Sequence, residues 1–131
     1  MNEPIWLTRP EVDYLHGRSV RQFGGSNGVR DDSLIESALA RPINRLNYEP
    51  GCDLAALAAS YGYGLVKNHG YIDGNKRIGF LAMSIFLYVN GYLLDTDEAE
   101  ATIAALEVAA GDRTEEELAS WIRDRIIPLE P

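Results

Sequence analysis

Apolar residues recur every three or four positions along most of this chain, a spacing typical of amphipathic helices. Thr8 and Glu11 form a capping-box pattern, which predicts a helix that starts there and runs to about Gln22. The segment FGGSNG, residues 23–28, then predicts a loop. The alternation expected of strands is weak, and YLLD, residues 92–95, is the single modest strand candidate.

A second helix is predicted to be short. Asp31 or Asp32 can cap its start, and Pro42 is expected to end it, because the ring disfavours helical backbone at the preceding residue. Residues 41–52 are then predicted to be irregular, either a loop or a small hairpin. The apolar face of this helix consists of Leu34, Ile35, Ala38 and Leu39.

Two longer apolar helices follow. Asp53 can cap the first, and the second begins near Gly74 or Asn75 and stops at Gly91. The longest apolar run, residues 78–89, lies in the second helix. A bilayer-spanning helix needs about 20 apolar residues, so this run predicts the buried central helix of a bundle and no membrane segment.

Two further helices complete the pattern. One is predicted to start at Asp95 or Thr96 and to stop at Gly111, and the last opens with a capping box of Thr114 and Glu117. The residues expected to face inward are Ala99, Ile103 and Leu106 in the first of these helices and Leu118, Trp121, Ile122 and Ile126 in the second.

Length and composition indicate one globular domain, residues 1–131, with an all-α fold: a compact bundle of about six helices with a motif loop before a buried central helix. The content of 46% hydrophobic and 24% charged residues argues against disorder. The chain shows no secretory signal pattern, and Cys52 is its single cysteine, which fits a cytoplasmic location. We expect Cys52 to be a bystander.

The net charge of −8 argues against general binding to nucleic acid or to an anionic membrane. The charge is nevertheless uneven. Between residues 67 and 77 three cations, Lys67, Lys76 and Arg77, face one carboxylate, Asp73, for a local balance of +2. This basic island on an acidic protein indicates one local anion site, although two lysines alone could cluster by chance.

The island coincides with HGYIDGNKR, residues 69–77, a loop that leads into the central helix. The first N–H groups of a helix are unpaired, its dipole is positive there, and Gly74 lets a ligand approach the backbone. Lys76 and Arg77 are unfavourable for the helix at this end unless an anion lies between them. The pattern therefore predicts a phosphate site.

Two further side chains of this loop suit transfer chemistry. Asp73 can hold Mg²⁺ together with phosphate oxygens, and His69 can act as a general base. These are the components of phosphoryl or nucleotidyl transfer. Less specific readings are a loop histidine with a local hydrogen bond, and an Asp73 that caps the helix. His16 has no partner at useful spacing and is expected to be a surface or a structural residue.

Two other common motifs, the Walker phosphate-binding loop and a zinc site, are absent from the sequence. No segment matches the Walker pattern G-x-x-x-x-G-K-[ST]. The spacing of histidine and cysteine residues does not fit a zinc site.

The loop resembles the signature of the Fic/Doc family, specifically its Doc (death-on-curing) branch, the toxin of Phd/Doc-type toxin–antitoxin systems. The branch pattern is H-x-F-x-D-[AG]-N-K-R, with Tyr71 here in place of Phe. Residues 23–42 also resemble the upstream segment of the family. The identical positions are His69, Asp73, Gly74, Asn75, Lys76 and Arg77.

The resemblance implies a particular reaction. Fic-branch enzymes, which mostly transfer AMP, have glycine at position 76 and a second arginine at position 80, where this chain has Lys76 and Phe80. In Doc-like proteins the altered site is linked to reversed nucleotide placement, so that the γ-phosphate of ATP is transferred. The implied activity is that of a protein kinase toxin acting on a threonine of elongation factor Tu and arresting translation.

Each motif residue receives a role by the same resemblance. His69 would deprotonate the target hydroxyl, and Asp73 would hold Mg²⁺. Gly74 and Asn75 would supply loop geometry and hydrogen bonds to phosphate. The charge on the ATP phosphates would be neutralised by Lys76 and Arg77.

The resemblance also implies a partner. Fic enzymes often carry an inhibitory helix with the pattern [ST]-x-x-x-E-[GN], but here Ala101 follows Thr96 and Glu100. We therefore expect inhibition by a separate Phd-type antitoxin. In relatives the neighbourhood of residues 41–52 holds a flap that aligns the target segment. The alternatives to the kinase are Fic-type AMP transfer to a protein hydroxyl and a catalytically silent binding module.

Overall fold

The computed structural model describes residues 3–129. Within them six helices and a two-stranded antiparallel sheet follow one another, so the predicted all-α bundle of about six helices is confirmed. In chain order the elements are α1 (Arg9–Phe23), α2 (Asp32–Tyr48), α3 (Leu54–Asn68), α4 (Asn75–Val89), β1 (Tyr92–Leu94), α5 (Glu98–Ala110), α6 (Glu115–Arg123) and β2 (Ile126–Pro128).

Local capping accounts for most of the helix starts. Thr8 and Glu11 form a reciprocal capping box at α1, and Thr114 and Glu117 form another at α6. The carboxylate of Asp53 caps α3. These three starts lie where the sequence placed them, because a cap involves only neighbours along the chain.

The second helix is longer than predicted. The prediction that Pro42 ends it, and that residues 41–52 are irregular, was wrong for residues 41–48, since α2 continues through Pro42 to Tyr48. An internal proline destabilises a helix by about 3 kcal/mol. Here Pro42 is buried in the core and Arg45 pairs with α6, and these long-range contacts offset the loss.

The centre of the fold is the packing of α3 against α4. Both helices are largely apolar and buried, as predicted for α4, and α3 also contacts α2, α5 and α6. Two glycines let the helix axes approach closely: a Cβ on Gly62 would lie 2.3 Å from Met83 Sδ, and one on Gly79 would lie 2.6 Å from Val66 Cγ2. This contact fixes the end of α3 relative to the start of α4.

The start and the buried face of α5 differ from the prediction. Asp97 caps the helix by accepting from the Glu100 N–H at 2.7 Å, so α5 begins later than a start at Asp95 or Thr96 implies. The helix is apolar on nearly every side, so spacing alone does not select a face. The small side chains pack inward, where they allow close approach to α3 and α4. The buried residues are Ala101, Ala104 and Val108, whereas Ala99, Ile103 and Leu106, predicted to be inward, are exposed.

The small sheet was predicted only in part. YLLD does form β1, but its partner β2 was not recognised, and Ile126, expected on the last helix, lies in β2. Leu93 pairs with Ile127 in this antiparallel ladder. Strand β2 has only three residues, so no alternation along it reveals the strand.

Two features bear on function classes that the sequence disfavoured. None of the helices within residues 3–129 is both long enough and apolar enough to cross a membrane. Cys52 is a partly buried free thiol in the turn before α3, and burial raises its pKa. A thiol with a raised pKa is a poor nucleophile at neutral pH, in agreement with a bystander role.

Candidate active site

His69 ends α3 in a left-handed backbone conformation, with φ 53° and ψ 50°. It is the one non-glycine residue with positive φ within residues 3–129. A β-carbon makes this conformation unfavourable by about 1–2 kcal/mol, so other contacts must hold it. Arg30 supplies them: its Nε donates to the His69 carbonyl at 2.7 Å and its Nη2 to the Asn68 carbonyl at 3.1 Å. The His69 side chain remains exposed.

The loop that follows α1 holds the first half of the motif loop. The carbonyl of Gly70 accepts from the N–H groups of Arg30 and Asp31 at 2.8 and 3.0 Å. The carbonyl of Gly28 accepts from the N–H of Ile72 at 3.0 Å. The two loops therefore form one hydrogen-bonded unit, and the backbone around His69 is fixed from outside its own segment.

Asn75 stabilises the second half of the motif loop from within. The side chain is buried; its Oδ1 accepts from the Tyr71 N–H and its Nδ2 donates to the Tyr71 carbonyl, both at 3.0 Å. Both ends of the amide are thus engaged inside the loop. Asn75 is therefore suited to fixing the loop, and within residues 3–129 its backbone N–H has no partner and can reach a ligand.

Helix α4 starts without a side-chain cap. Its N-cap is Gly74, in the left-handed region with φ 79°. Asp73 does not cap it, since its Oδ2 accepts instead from the Ser26 N–H at 2.8 Å. The first N–H groups of α4 stay available at the positive end of the helix dipole, the arrangement that binds anions.

The two cations of the motif are both exposed. Neither Lys76 nor Arg77 forms an ion pair with a carboxylate of the described chain, residues 3–129. The Arg77 guanidinium lies 4.2 Å from the centroid of the Phe23 ring, within cation–π range. The aromatic ring holds the guanidinium in place and leaves its charge unneutralised.

A cleft of about 610 Å³ opens over this end of α4. The volume is in the range of small-molecule sites. Every site residue predicted from the sequence lines it, so the structure brings the predicted set together. The cleft is lined by His69, Asp73, Gly74, Asn75, Lys76 and Arg77, together with Phe23, Phe80 and Leu81 and, from the α5 side, Thr96, Asp97, Glu98, Ala101, Thr102, Ala105 and Leu106.

The α5 wall was not predicted as part of the site. Thr96 and Glu100 were considered only as an incomplete inhibitory pattern. In the structure the Thr96 hydroxyl donates to Glu100 Oε1 at 3.2 Å, and Arg125 binds Glu100 Oε2 at 3.0 Å. The carboxylate of Glu100 is therefore occupied by Arg125 and does not pair with Arg77.

Sequence reasoning did not connect three residues to the motif loop: His16, Ser26 and Arg30. His16 is buried and hydrogen-bonded, so the structural alternative considered for it is the correct one. A signal for it was available, because Val12, His16 and Val20 follow one another every four residues on the buried face of α1. A histidine on such a face needs a hydrogen-bond partner. No comparable pattern identifies Ser26 or Arg30.

The carboxylate of Asp73 fits a magnesium ion shared with phosphates. It is exposed in the cleft, and among the described residues only its Oδ2 accepts a protein hydrogen bond, from Ser26. Within residues 3–129 no three His, Cys, Asp or Glu side chains gather into a metal cluster. Mg²⁺ commonly binds one or two carboxylates plus phosphate oxygens and water, so a single carboxylate here suffices.

A helical bundle with a histidine loop that leads into an uncapped, cation-bearing helix start has the architecture of a Fic/Doc-type protein. Residues 6–87, more than half of the chain and all of the motif, match the Fic/DOC family. The chain therefore belongs to the Fic/DOC family.

Two relatives carry Doc names. The chain is 30% identical to Protein kinase doc of Escherichia phage P1 over 119 residues, which cover 89% of this chain and 92% of the relative. It is 39% identical to Toxin Doc of Mycolicibacterium smegmatis (strain ATCC 700084 / mc(2)155) over 85 residues, 60% of this chain and 64% of the relative. The resemblance to the Doc branch is thereby confirmed.

Proposed function

We propose that this protein is a Doc-type toxin that acts as a protein kinase and transfers the γ-phosphate of ATP to a hydroxyl of a protein target. One observation carries the proposal: His69, Asp73, Lys76 and Arg77 line the same cleft at the free start of α4. The names of the two relatives, a protein kinase and a toxin, support the same reading.

The start of α4 binds the phosphates. Its uncapped N–H groups donate to phosphate oxygens, and Lys76 and Arg77 neutralise the charge that accumulates during transfer. Gly74 allows the backbone to approach the ligand closely. Asn75 contributes through the loop geometry that its side chain fixes and through its backbone N–H.

His69 is the general base. It removes the proton from the target hydroxyl as the oxygen bonds to the γ-phosphorus and the bond to ADP breaks. Mg²⁺, held at Asp73, would supply positive charge that offsets the charge of the phosphates. Arg30 holds the His69 backbone in its left-handed conformation, and this sets the direction of the imidazole.

The target that family resemblance suggests is a threonine of elongation factor Tu, which would place the toxin in the cytoplasm. Incubation of purified protein with the factor, Mg²⁺ and ATP should add one phosphate to the factor by intact-mass measurement. Peptide mapping should locate the phosphate on a threonine. If the factor stays unmodified while another protein of a cell lysate gains the phosphate, this target is wrong but the kinase activity stands.

The transferred group is tested with ATP labelled separately at the α and γ positions. We expect the target to retain label from the γ position only. Label retained only from the α position, with the added mass of AMP, would contradict the kinase and favour the Fic-type reaction. For Lys76→Gly, which restores the residue of the Fic branch at this position, we expect loss of phosphate transfer; a gain of AMP transfer would assign the choice of group to Lys76.

We also propose that a separate Phd-type antitoxin restrains the toxin. Within residues 3–129, Lys76 and Arg77 have no carboxylate partner and Glu100 is occupied by Arg125, so these residues contain no internal neutralisation of the site. Expression of the chain alone should arrest growth, and co-expression with the antitoxin should restore it. Growth arrest that persists with a stably bound antitoxin would contradict this role.

A further inference from the structure

His16 is a buried titratable residue that the proposed transfer does not use. Its side chain lies on α1 and is 1% exposed. The imidazole stacks on the Tyr71 ring, with centroids 3.8 Å apart and planes inclined by 13°. The Tyr71 hydroxyl in turn donates to Asp13 Oδ1 at 2.5 Å. Stacking on an anchored ring fixes both the plane and the direction of the imidazole.

The imidazole reaches the motif loop at one atom. His16 Nε2 lies 2.7 Å from the carbonyl oxygen of Asp73. A carbonyl can only accept, so Nε2 carries the proton and donates. The peptide between Asp73 and Gly74 is planar and trans, which directs the Gly74 N–H opposite to that carbonyl. The hydrogen bond thus turns the Gly74 N–H away from His16.

This peptide needs an external anchor. Gly74 is free to adopt either sign of φ, and α4 has no side-chain cap that would hold its first residue. Rotation of the Asp73–Gly74 peptide would direct a carbonyl oxygen to the side on which the N–H now lies. A partial negative charge would then replace a donor beside the free N–H groups of α4.

We propose that His16 is a positioning residue for the phosphate site: its Nε2–H holds the Asp73 carbonyl inward and so presents the Gly74 N–H alongside the N–H groups of α4. The inference rests on the proposed function for the identity of the ligand, a nucleotide phosphate. By this inference α1 controls the orientation of the phosphate donors through His16. His16 itself does not line the cleft, to which α1 contributes Phe23.

Two variants of His16 separate its hydrogen bond from its packing. His16→Phe keeps a ring on Tyr71 but has no donor, whereas His16→Gln keeps an amide N–H within reach but has no ring. Calorimetric titration with Mg²⁺ and a non-hydrolysable ATP analogue should show a Kd raised roughly tenfold for His16→Phe and within about threefold of wild type for His16→Gln. Wild-type affinity in folded His16→Phe, or the reverse ranking, would overturn the inference.

A measurement on the wild-type protein tests the inference even if a His16 variant does not fold. Long-range ¹H–¹⁵N correlation should show the Nε2–H tautomer of His16, with a slowly exchanging ring proton. An Nδ1–H tautomer would overturn the inference. This spectrum can be recorded without nucleotide. If wild type fails to bind Mg²⁺ and the ATP analogue, the proposed function fails while the tautomer still decides whether His16 holds Asp73.

Discussion

The starts of α4 and α6 are built in opposite ways. Helix α6 has a capping box and three glutamates in its first turn, and Arg41 and Arg45 of α2 pair with Glu115 at 2.6 and 2.7 Å. Helix α4 has no side-chain cap and no acidic residue in its first turn, but it carries Lys76 and Arg77 there, without ion-pair partners in the described chain. Acids favour a helix start and cations oppose it.

The difference separates a structural helix start from the one proposed to bind phosphate. At α6 the arginines of α2 are paired with glutamates of the helix start. A second, shallower cavity of about 440 Å³ lies there, but its arginines are therefore already neutralised. At α4 the described part of the chain leaves N–H groups and cations without partners beside the larger cleft. The α4 end is therefore suited to an anionic ligand. Substitutions at α4 should therefore reduce activity, and those at α6 should reduce stability.

The largest effect is expected at His69. Loss of a general base lowers the transfer rate by about 10²–10⁴-fold. His69→Ala should be inactive and slightly less stable, since alanine also disfavours the left-handed backbone. His69→Asn is the sharper variant, because asparagine tolerates φ 53° and still cannot act as the base. Phosphate transfer and thermal unfolding should be measured on both. Activity retained in His69→Asn would contradict the assignment of the base.

The next effect concerns stability at the α6 end. Removal of one partner from a largely buried ion pair destabilises a protein by about 3 kcal/mol, so Glu115→Ala should unfold at clearly lower denaturant concentration and keep its nucleotide affinity. Glu116→Ala is the matched control, since its side chain is 72% exposed. Equal losses of stability in the two variants would show that burial of the Glu115 ion pair does not add to its contribution to stability.

The same residue predicts an acid dependence. Burial alone would raise the pKa of Glu115, but hydrogen bonds from Arg41 and Ser60 and the charge of Arg41 outweigh it and lower the pKa. A carboxylate with a lowered folded-state pKa stabilises the fold above its unfolded value of about 4.3, and the contribution is lost as pH falls through the folded value. Denaturation curves from pH 6 downward should therefore fall less steeply for Glu115→Gln than for wild type.

A smaller effect is expected at Arg77, where loss of the side chain should weaken nucleotide binding without weakening the fold. Arg77→Ala should raise the Kd for Mg²⁺ and an ATP analogue by roughly tenfold, the equivalent of about 1.4 kcal/mol. Stability should stay level or rise by a few tenths of a kcal/mol, because a cation is removed from the positive end of a helix, although the contact with Phe23 is lost as well. Arg21→Ala, an exposed cation in the last turn of α1, is the control for net charge. A marked loss of stability in Arg77→Ala would place it with the structural arginines.

The smallest effect is expected at Tyr71, the residue that departs from the Doc pattern. Tyr71→Phe removes the hydrogen bond to Asp13 and should destabilise the fold by about 1 kcal/mol. Burial and that hydrogen bond raise the phenol pKa, so its stabilising contribution is present below about 10 and is lost as pH rises further. The decline in stability above pH 10 should therefore be shallower in the variant.

Tyr61→Phe serves as the matched control for Tyr71→Phe. Tyr61 is fully buried, its hydroxyl accepts from the Leu7 N–H at 3.0 Å, and burial raises its pKa to about 12. Both variants should show the shallower alkaline decline. Only Tyr71→Phe should reduce nucleotide affinity, because the hydrogen bond to Asp13 that it removes anchors the ring on which His16 stacks. Reduced affinity in Tyr61→Phe would assign the effect to general destabilisation.

Sequence reasoning succeeded where the deciding contacts are local. The caps at Thr8, Asp53 and Thr114 each involve residues within three positions, and the motif from His69 to Arg77 is contiguous. It was wrong at Pro42 because contacts of α2 with the core and with α6 outweigh a local preference. It was also wrong for the face of α5, whose apolar residues leave every face available until α3 and α4 select one.

The sequence by itself determined the helical class of this protein, most helix starts and the identity of the motif, because these depend on spacing and on neighbours a few residues away. Only the tertiary structure decided what holds the motif in place. Ser26, Arg30 and His16 meet the loop across separations of 39 to 57 residues. Such contacts depend on how α1 and its following loop pack beside α3 and α4, and no local pattern encodes that packing.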